Sequence, residues 1–179
     1  NTLAEICAIQ LDDDVTLTLN GIVPIRDDDE YGGFRGALSA RYETINTPLK
    51  IDITTGDVIT PRAVRYTFQS SFGDKALQVW AYNVETILAE KVETILRRSV
   101  LNTRPRDFYD VYLLNRTQAA VIDKKMFLNA LRATSQKRLS LPQLEKQDAI
   151  LDAILDDPTM HQRWERYARD NYYARQITF

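Results

Sequence analysis

The sequence predicts an α+β fold, an antiparallel-rich sheet followed by a bundle of helices. Three observations carry this. Apolar residues alternate with period two at Val15, Leu17 and Leu19, and again at Leu49, Ile51 and Ile53, the spacing of half-buried strands. From Asn83 the period becomes helical, with Val84, Ile87, Leu88, Val92 and Ile95 on one stripe. Strands gathered first and helices after them, rather than alternating, argue against a wound parallel sheet. The expected division is residues 1–82 and 83–179.

Taken in order, Leu3, Ile6, Cys7 and Gln10 share a helical face. Asn20-Gly21 reads as a turn between Val15–Leu19 and Ile22–Ile25, because that dipeptide tolerates the positive φ of a tight hairpin. A loop over Arg26–Gly33 precedes strand-like Phe34–Ile45 and Leu49–Thr54. Val64–Ser70 and Ala76–Tyr82 read as a hairpin around Phe72-Gly73-Asp74-Lys75. Asn83 is suited to cap a helix over Val84–Arg98, and Pro105 to open a second as far as Asn115. Asp123 caps a third, with Phe127, Ala130, Leu131 and Thr134 on one face. Two more are expected around Leu144–Leu155 and Thr159–Ala174.

The 179 residues suffice for a real core, and charged residues at 27% with hydrophobic residues at 44% are ordinary globular values. That excludes disordered, collagen-like and coiled-coil chains. No apolar run is long enough to cross a membrane and no signal peptide opens the chain, so a cytoplasmic location without a membrane partner is expected. One cysteine, Cys7, and one histidine, His161, exclude an internal disulfide and a histidine-rich zinc site. His161 beside Trp164 reads as packing. The acidic runs Asp12–Asp14 and Asp27–Glu30 lack calcium-loop spacing and read as solvated turns. Charge is uneven: residues 1–60 carry 4 basic and 11 acidic residues, whereas Arg97–Arg138 carries 10 basic and 3 acidic. Such a local excess suits phosphate or nucleic acid, and equally a solvated helical surface.

Three groups of residues stand out as chemistry. Lys91 falls inside the apolar stripe of its helix, so its ammonium needs an anionic partner or must snorkel to an edge. Arg98 lies two turns further on nearly the same face. Asp107 and Asp110, three apart on the next helix, are neighbours there. Asp110 shares its side with Leu113 and Leu114 and is expected to point inward, while Asp107 also complements the helix dipole from the first turn. Asp52 alternates away from Leu49, Ile51 and Ile53, as a rigid strand carboxylate suited to a metal or to a general base, or as a solvent-facing Asp. No Walker A loop, GxGxxG or G-x-S-x-G is present.

Leu49–Asp57, LKIDITTGD, followed by a hairpin and then Tyr82–Leu114, YNVETILAEKVETILRRSVLNTRPRDFYDVYLL, resembles the AbiEii nucleotidyltransferases, toxins of abortive-infection toxin–antitoxin systems. Phe127–Arg138, FLNALRATSQKR, also fits that family's helical half. The family's first motif, a Gly-Ser or Gly-Gly-Thr turn followed by a D-x-D pair, is absent, and Gly32-Gly33 does not replace it. The resemblance therefore implies the C-terminal part of such a protein: a partial nucleotidyltransferase-like region over 1–82 and a helical domain over 83–179.

It implies transfer of a nucleotide from a nucleoside triphosphate to an RNA, tRNA included, or to a protein hydroxyl, with Mg²⁺ in the complete protein and a cognate antitoxin as partner. Asp52 would be a catalytic carboxylate and metal ligand. Lys91 would neutralise the triphosphate, Asp110 or Asp107 would orient it, and Arg98 would be a second phosphate cation. These residues alone are expected not to transfer a nucleotide. Lys91→Ala is expected to cost little stability, or to add some, while abolishing activity. The competing expectation is a noncatalytic helical domain that binds RNA or protein.

Overall fold

The computed structural model describes residues 2–10, 13–25, 32–71 and 76–179, and packing divides the chain into two compact units, Asn1–Asp57 and Val58–Phe179. The architecture is α+β, with antiparallel strands in the N-terminal half and helices in the C-terminal half.

The first unit is a short helix α1 (Thr2–Cys7) and a three-stranded antiparallel sheet of β1 (Thr16–Ile25), β2 (Gly33–Tyr42) and β3 (Ile45–Thr54), with β2 in the centre. One expected turn is not a turn, and one strand boundary is shifted. Asn20-Gly21 lies inside β1, where the register slips between Leu19 and Gly21 as a bulge, and the Asn20 amide donates to Ser39 Oγ across the ladder at 2.7 Å. Glycine is as well suited to a bulge as to a hairpin, so the dipeptide alone does not distinguish them. The break between the next two strands falls at residues 43–44, with Glu43 at φ 49°. Pro48 is paired within β3 opposite Ser39; β3 is an edge strand, where a residue without an N–H is tolerated.

Gly33 shows the closeness of β2 and β3. A Cβ there would lie 2.6 Å from the Ile53 carbonyl oxygen, a backbone atom that cannot move without the ladder. Gly33→Ala is therefore expected to destabilise by about 1–3 kcal/mol, read as a lowered urea midpoint; an unchanged midpoint would contradict it.

The second unit opens with the hairpin β4 (Val64–Gln69) and β5 (Ala76–Ala81), paired antiparallel as the alternation predicts. Its expected turn, Phe72–Lys75, lies outside the described residues, as do most of the Arg26–Gly33 loop, Asp12 and Asp27–Glu30. Helices follow: α2 (Val84–Arg98), α3 (Pro105–Gln118), α4 (Lys124–Lys137), α5 (Leu141–Glu145), α6 (Gln147–Asp156) and α7 (Pro158–Asp170). Short 3-10 turns sit at Ser99–Leu101 and Tyr172–Ala174. The caps are those the sequence offers: Asn83 accepts from Thr86 N at 2.8 Å and Asp123 from Met126 N at 2.9 Å.

Asn83 also donates to the Thr60 carbonyl at 2.7 Å, and the buried Thr86 hydroxyl bonds Thr60 N and O. These bonds fasten residues 60–62 to the start of α2. Glu85, buried, accepts from Asp123 N at 3.0 Å and joins the two helix starts.

α2 is the central helix, against which α3, α4, α5 and α6 all pack. Ala89 buries against Ala130 and Leu131, flanked by Val92, Phe127 and Leu144. Ile95 buries against Ile154 and Met160, flanked by Val100, Phe108, Val111 and Phe179. Each fully buried aliphatic side chain here contributes about 1.5–3 kcal/mol. Packing on several sides makes the buried face of α2 wider than the stripe read from its sequence. It takes in Glu85, Thr86 and Glu93, while Ile87 is left 37% exposed.

Candidate functional site

The region where α2, α3 and α7 come together is built from two pieces of local chemistry. Pro105 is the first residue of α3, where its missing N–H costs nothing. Just before it, Asn102 is fully buried and its side-chain oxygen accepts from Arg104 N at 2.8 Å. Arg163 on α7 donates to the carbonyls of Val100 at 2.9 Å and Asn102 at 3.0 Å. The connection from α2 to α3 is thus pinned from inside and from α7, which fixes where the first turn of α3 points.

That turn points at Lys91. The Lys91 ammonium donates to Asp107 Oδ1 at 2.8 Å and sits 2.8 Å from Asp110 Oδ2. The structure therefore brings Lys91, Asp107 and Asp110 into one group. Their ranking differs from the expectation that Asp110 is the inward one. Asp107 is 8% exposed and Asp110 is 22% exposed, because the first turn of α3, not its middle, is pressed onto α2. Asp107 Oδ2 is buried without a hydrogen-bond partner, whereas Asp110 Oδ1 faces Arg106 at 3.8 Å. Lys91 itself is 31% exposed, so the group is open to solvent along the lysine.

Burial works against the Lys91 charge, but the hydrogen bonds it donates to Asp107 and Asp110, and their charges, outweigh it and raise its pKa above the ordinary 10.5. The folded value exceeds the unfolded one, so the stabilisation is fully present below the unfolded pKa and is lost as pH rises through the folded pKa. Stability from this group is expected to be flat through neutral pH and to fall only in strong alkali. Urea midpoints for wild type and a Lys91→Met variant should converge there, and parallel curves would contradict it.

The expectation that Lys91→Ala costs little stability is reversed by this geometry. Lys91 is not an isolated charge in an apolar stripe. It neutralises two carboxylates, one of them almost fully buried, and its removal leaves their charges uncompensated.

Arg98 makes no contact with this group through its Nε, which is buried without a partner. Asp52 belongs to the other unit, on the polar face of β3. Both of its carboxylate oxygens are engaged by Arg35 of β2, at 2.6 and 2.7 Å, with both side chains more than 40% exposed. The pair follows from the register, in which Arg35 lies directly opposite Asp52. Among the described residues no three of His, Cys, Asp or Glu converge as a cation would require. Of the candidate carboxylates, Asp52 is paired with Arg35, and Asp107 and Asp110 are paired with Lys91.

One group escaped the sequence reading. Glu93, 1% exposed, accepts from Arg97 Nε at 2.9 Å, Ser140 Oγ at 2.8 Å and Arg138 Nη1 at 2.7 Å. Arg138 also reaches Glu90 at 3.2 Å. Only the Glu93–Arg97 spacing of four was legible. Arg138 and Ser140 are more than forty positions away and carry no local signature. Two of the basic residues counted in Arg97–Arg138 are thereby turned inward, while Arg104, Arg106, Arg116, Lys124, Lys125 and Arg132 remain exposed. His161 packs as expected, its ring edge-on to Phe179 at 5.0 Å and Nε2 2.7 Å from the Leu155 carbonyl.

A model of the family described as nucleotidyl transferase AbiEii toxin, type IV toxin–antitoxin system, matches residues 1–177. The chain belongs to the AbiEii family. Membership makes it a type IV toxin–antitoxin nucleotidyltransferase by family, with an antitoxin as the implied partner. No curated protein and no solved structure matches the chain significantly. Among the described residues of this AbiEii chain, no helix is long and apolar enough to cross a membrane. The match spans both the Asp52 strand and the Lys91, Asp107 and Asp110 group.

Proposed function

We propose that this AbiEii protein transfers a nucleotidyl group from a nucleoside triphosphate, taken as its Mg²⁺ complex, to a hydroxyl of an RNA or protein acceptor. Lys91 would be its triphosphate-binding residue. The observation that carries the reading is Lys91 itself. Two aspartates at 2.8 Å hold its ammonium charged and fixed, yet the side chain keeps 31% exposure. An ammonium has three N–H donors, and the third is left for a phosphate oxygen.

In-line phosphoryl chemistry is governed by positioning and charge stabilisation, and a cation locked in place before substrate arrives supplies both. Asp107, buried, sets the lysine; Asp110, more open and balanced by Arg106, faces the side from which substrate enters. Arg98, its Nε already desolvated and unpaired, is proposed as a second phosphate cation. Asp52 is held by Arg35 and is assigned no step. The exposed cations Arg104, Arg106, Arg116, Lys124, Lys125 and Arg132 favour RNA as the acceptor. They equally favour a second reading, an RNA-interaction domain without catalysis.

Incorporation of labelled nucleotide by the intact protein separates the two. Transfer that depends on Lys91 and Asp110 supports the enzyme. RNA binding without transfer, indifferent to Lys91→Met, supports the second reading.

A further inference from the structure

Beside the Lys91 group lies a cluster of four tyrosines that the proposed chemistry does not use. Tyr109 is the residue before Asp110 on α3, and its ring lies 4.9 Å from Tyr173 and 6.2 Å from Tyr167 on α7. Tyr172 stands at 74° to Tyr173, with centroids 5.5 Å apart. The cluster is fixed by polar bonds: Tyr173 OH donates to Asn171 Oδ1 at 2.8 Å, and Asn171 Nδ2 donates to the Tyr167 carbonyl at 2.8 Å. Tyr167 OH lies 3.3 Å from Tyr173 OH.

These rings differ from core aromatics in their exposure. Tyr172 is 79% exposed and Tyr173 is 44% exposed, although rigid apolar rings are ordinarily the first to be covered. Their neighbourhood is that of the charged group. Burial, then the bond to Tyr173, then the charge of Asp110 raise the Tyr167 pKa, with Arg106 opposing. Both ions therefore act on Tyr167, the member of the cluster that lies on α7.

We propose that Tyr172 and Tyr173 form the surface on which the base of the nucleoside triphosphate stacks when its phosphates meet Lys91, with Arg106, 77% exposed, flanking the path between them. This rests on the reading of Lys91 as the triphosphate residue and adds the nucleoside end of the same site. A π-face accepts any base, so stacking supplies affinity common to all four nucleotides.

Calorimetric titration of the intact protein with ATP and with inorganic tripolyphosphate tests the two ends separately. Tyr172→Ala is expected to weaken ATP binding about tenfold and to leave tripolyphosphate binding unchanged. Tyr172→Phe, which keeps the ring, is expected to bind ATP as wild type does. ATP affinity that survives both Tyr172→Ala and the Tyr172→Ala, Tyr173→Leu double variant would overturn the stacking surface. So would an equal loss for both ligands, which would mark an indirect effect. Tripolyphosphate binding indifferent to Lys91→Met, with ATP binding still sensitive to Tyr172→Ala, would instead overturn the role of Lys91 and leave the stacking surface standing.

Discussion

Glu93→Ala is expected to cost about 3–5 kcal/mol, the loss that follows when one member of a buried ion network is removed. Glu93 is 1% exposed and takes hydrogen bonds from Arg97, Arg138 and Ser140. Its deletion takes the carboxylate from Arg97, leaves Arg138 with the Glu90 carboxylate, and leaves the buried Ser140 hydroxyl only the longer bond to the Ser135 carbonyl. Set against the roughly 5–15 kcal/mol that a domain has in total, that loss consumes much of the stability of the helical half. Glu93→Gln keeps the shape and one acceptor oxygen but not the charge, and should fall between wild type and alanine. Urea unfolding followed by circular dichroism reads both. A Glu93→Ala protein within about 1 kcal/mol of wild type would mean that the two arginines find water or other partners at no cost.

Lys91→Ala should remove nucleotide transfer by a factor of about 10²–10³ or more, the scale set by deleting one preorganised charge contact from a transition state. It should also destabilise the fold by about 2–3 kcal/mol, below the fully buried range because the lysine is partly wet. The two effects separate by a second change. Adding Asp107→Asn to Lys91→Ala relieves the uncompensated carboxylate, so stability should recover in part while activity does not. Lys91→Arg keeps the charge but offers a planar fork in place of a point charge between two aspartates, and should rescue stability better than rate. Transfer at the wild-type rate by a folded Lys91→Ala protein would end the assignment and leave Lys91 as a structural tie between α2 and α3.

The helical half was legible to a residue in places because its signals are local. Asn83 and Asp123 mark helix starts through bonds made within one turn and Pro105 through its missing N–H, while a stripe of apolar residues states only part of the face that is covered. The Lys91 group was partly legible for the same reason. A lysine among apolar residues needs a counterion, and Asp107 and Asp110 were the nearest acidic pair on a neighbouring helix.

Strand boundaries were less legible. Asn20-Gly21 suits a bulge as well as a turn, and Pro48 suits an edge strand as well as a break; only the pairing of β2 with both neighbours chooses.

The sequence by itself determined the order of elements, the family, and the candidates Lys91, Asp107, Asp110, Arg98 and Asp52. Tertiary structure decided which carboxylate is the buried one, that Arg35 holds Asp52, that Glu93 draws Arg138 inward, and that Tyr173 packs on Tyr109 while it and Tyr172 stand exposed. Each of those depends on groups from different elements meeting at distances of a few ångströms. Periodicity fixes the direction of a side chain on its own element and says nothing of what arrives from the next one.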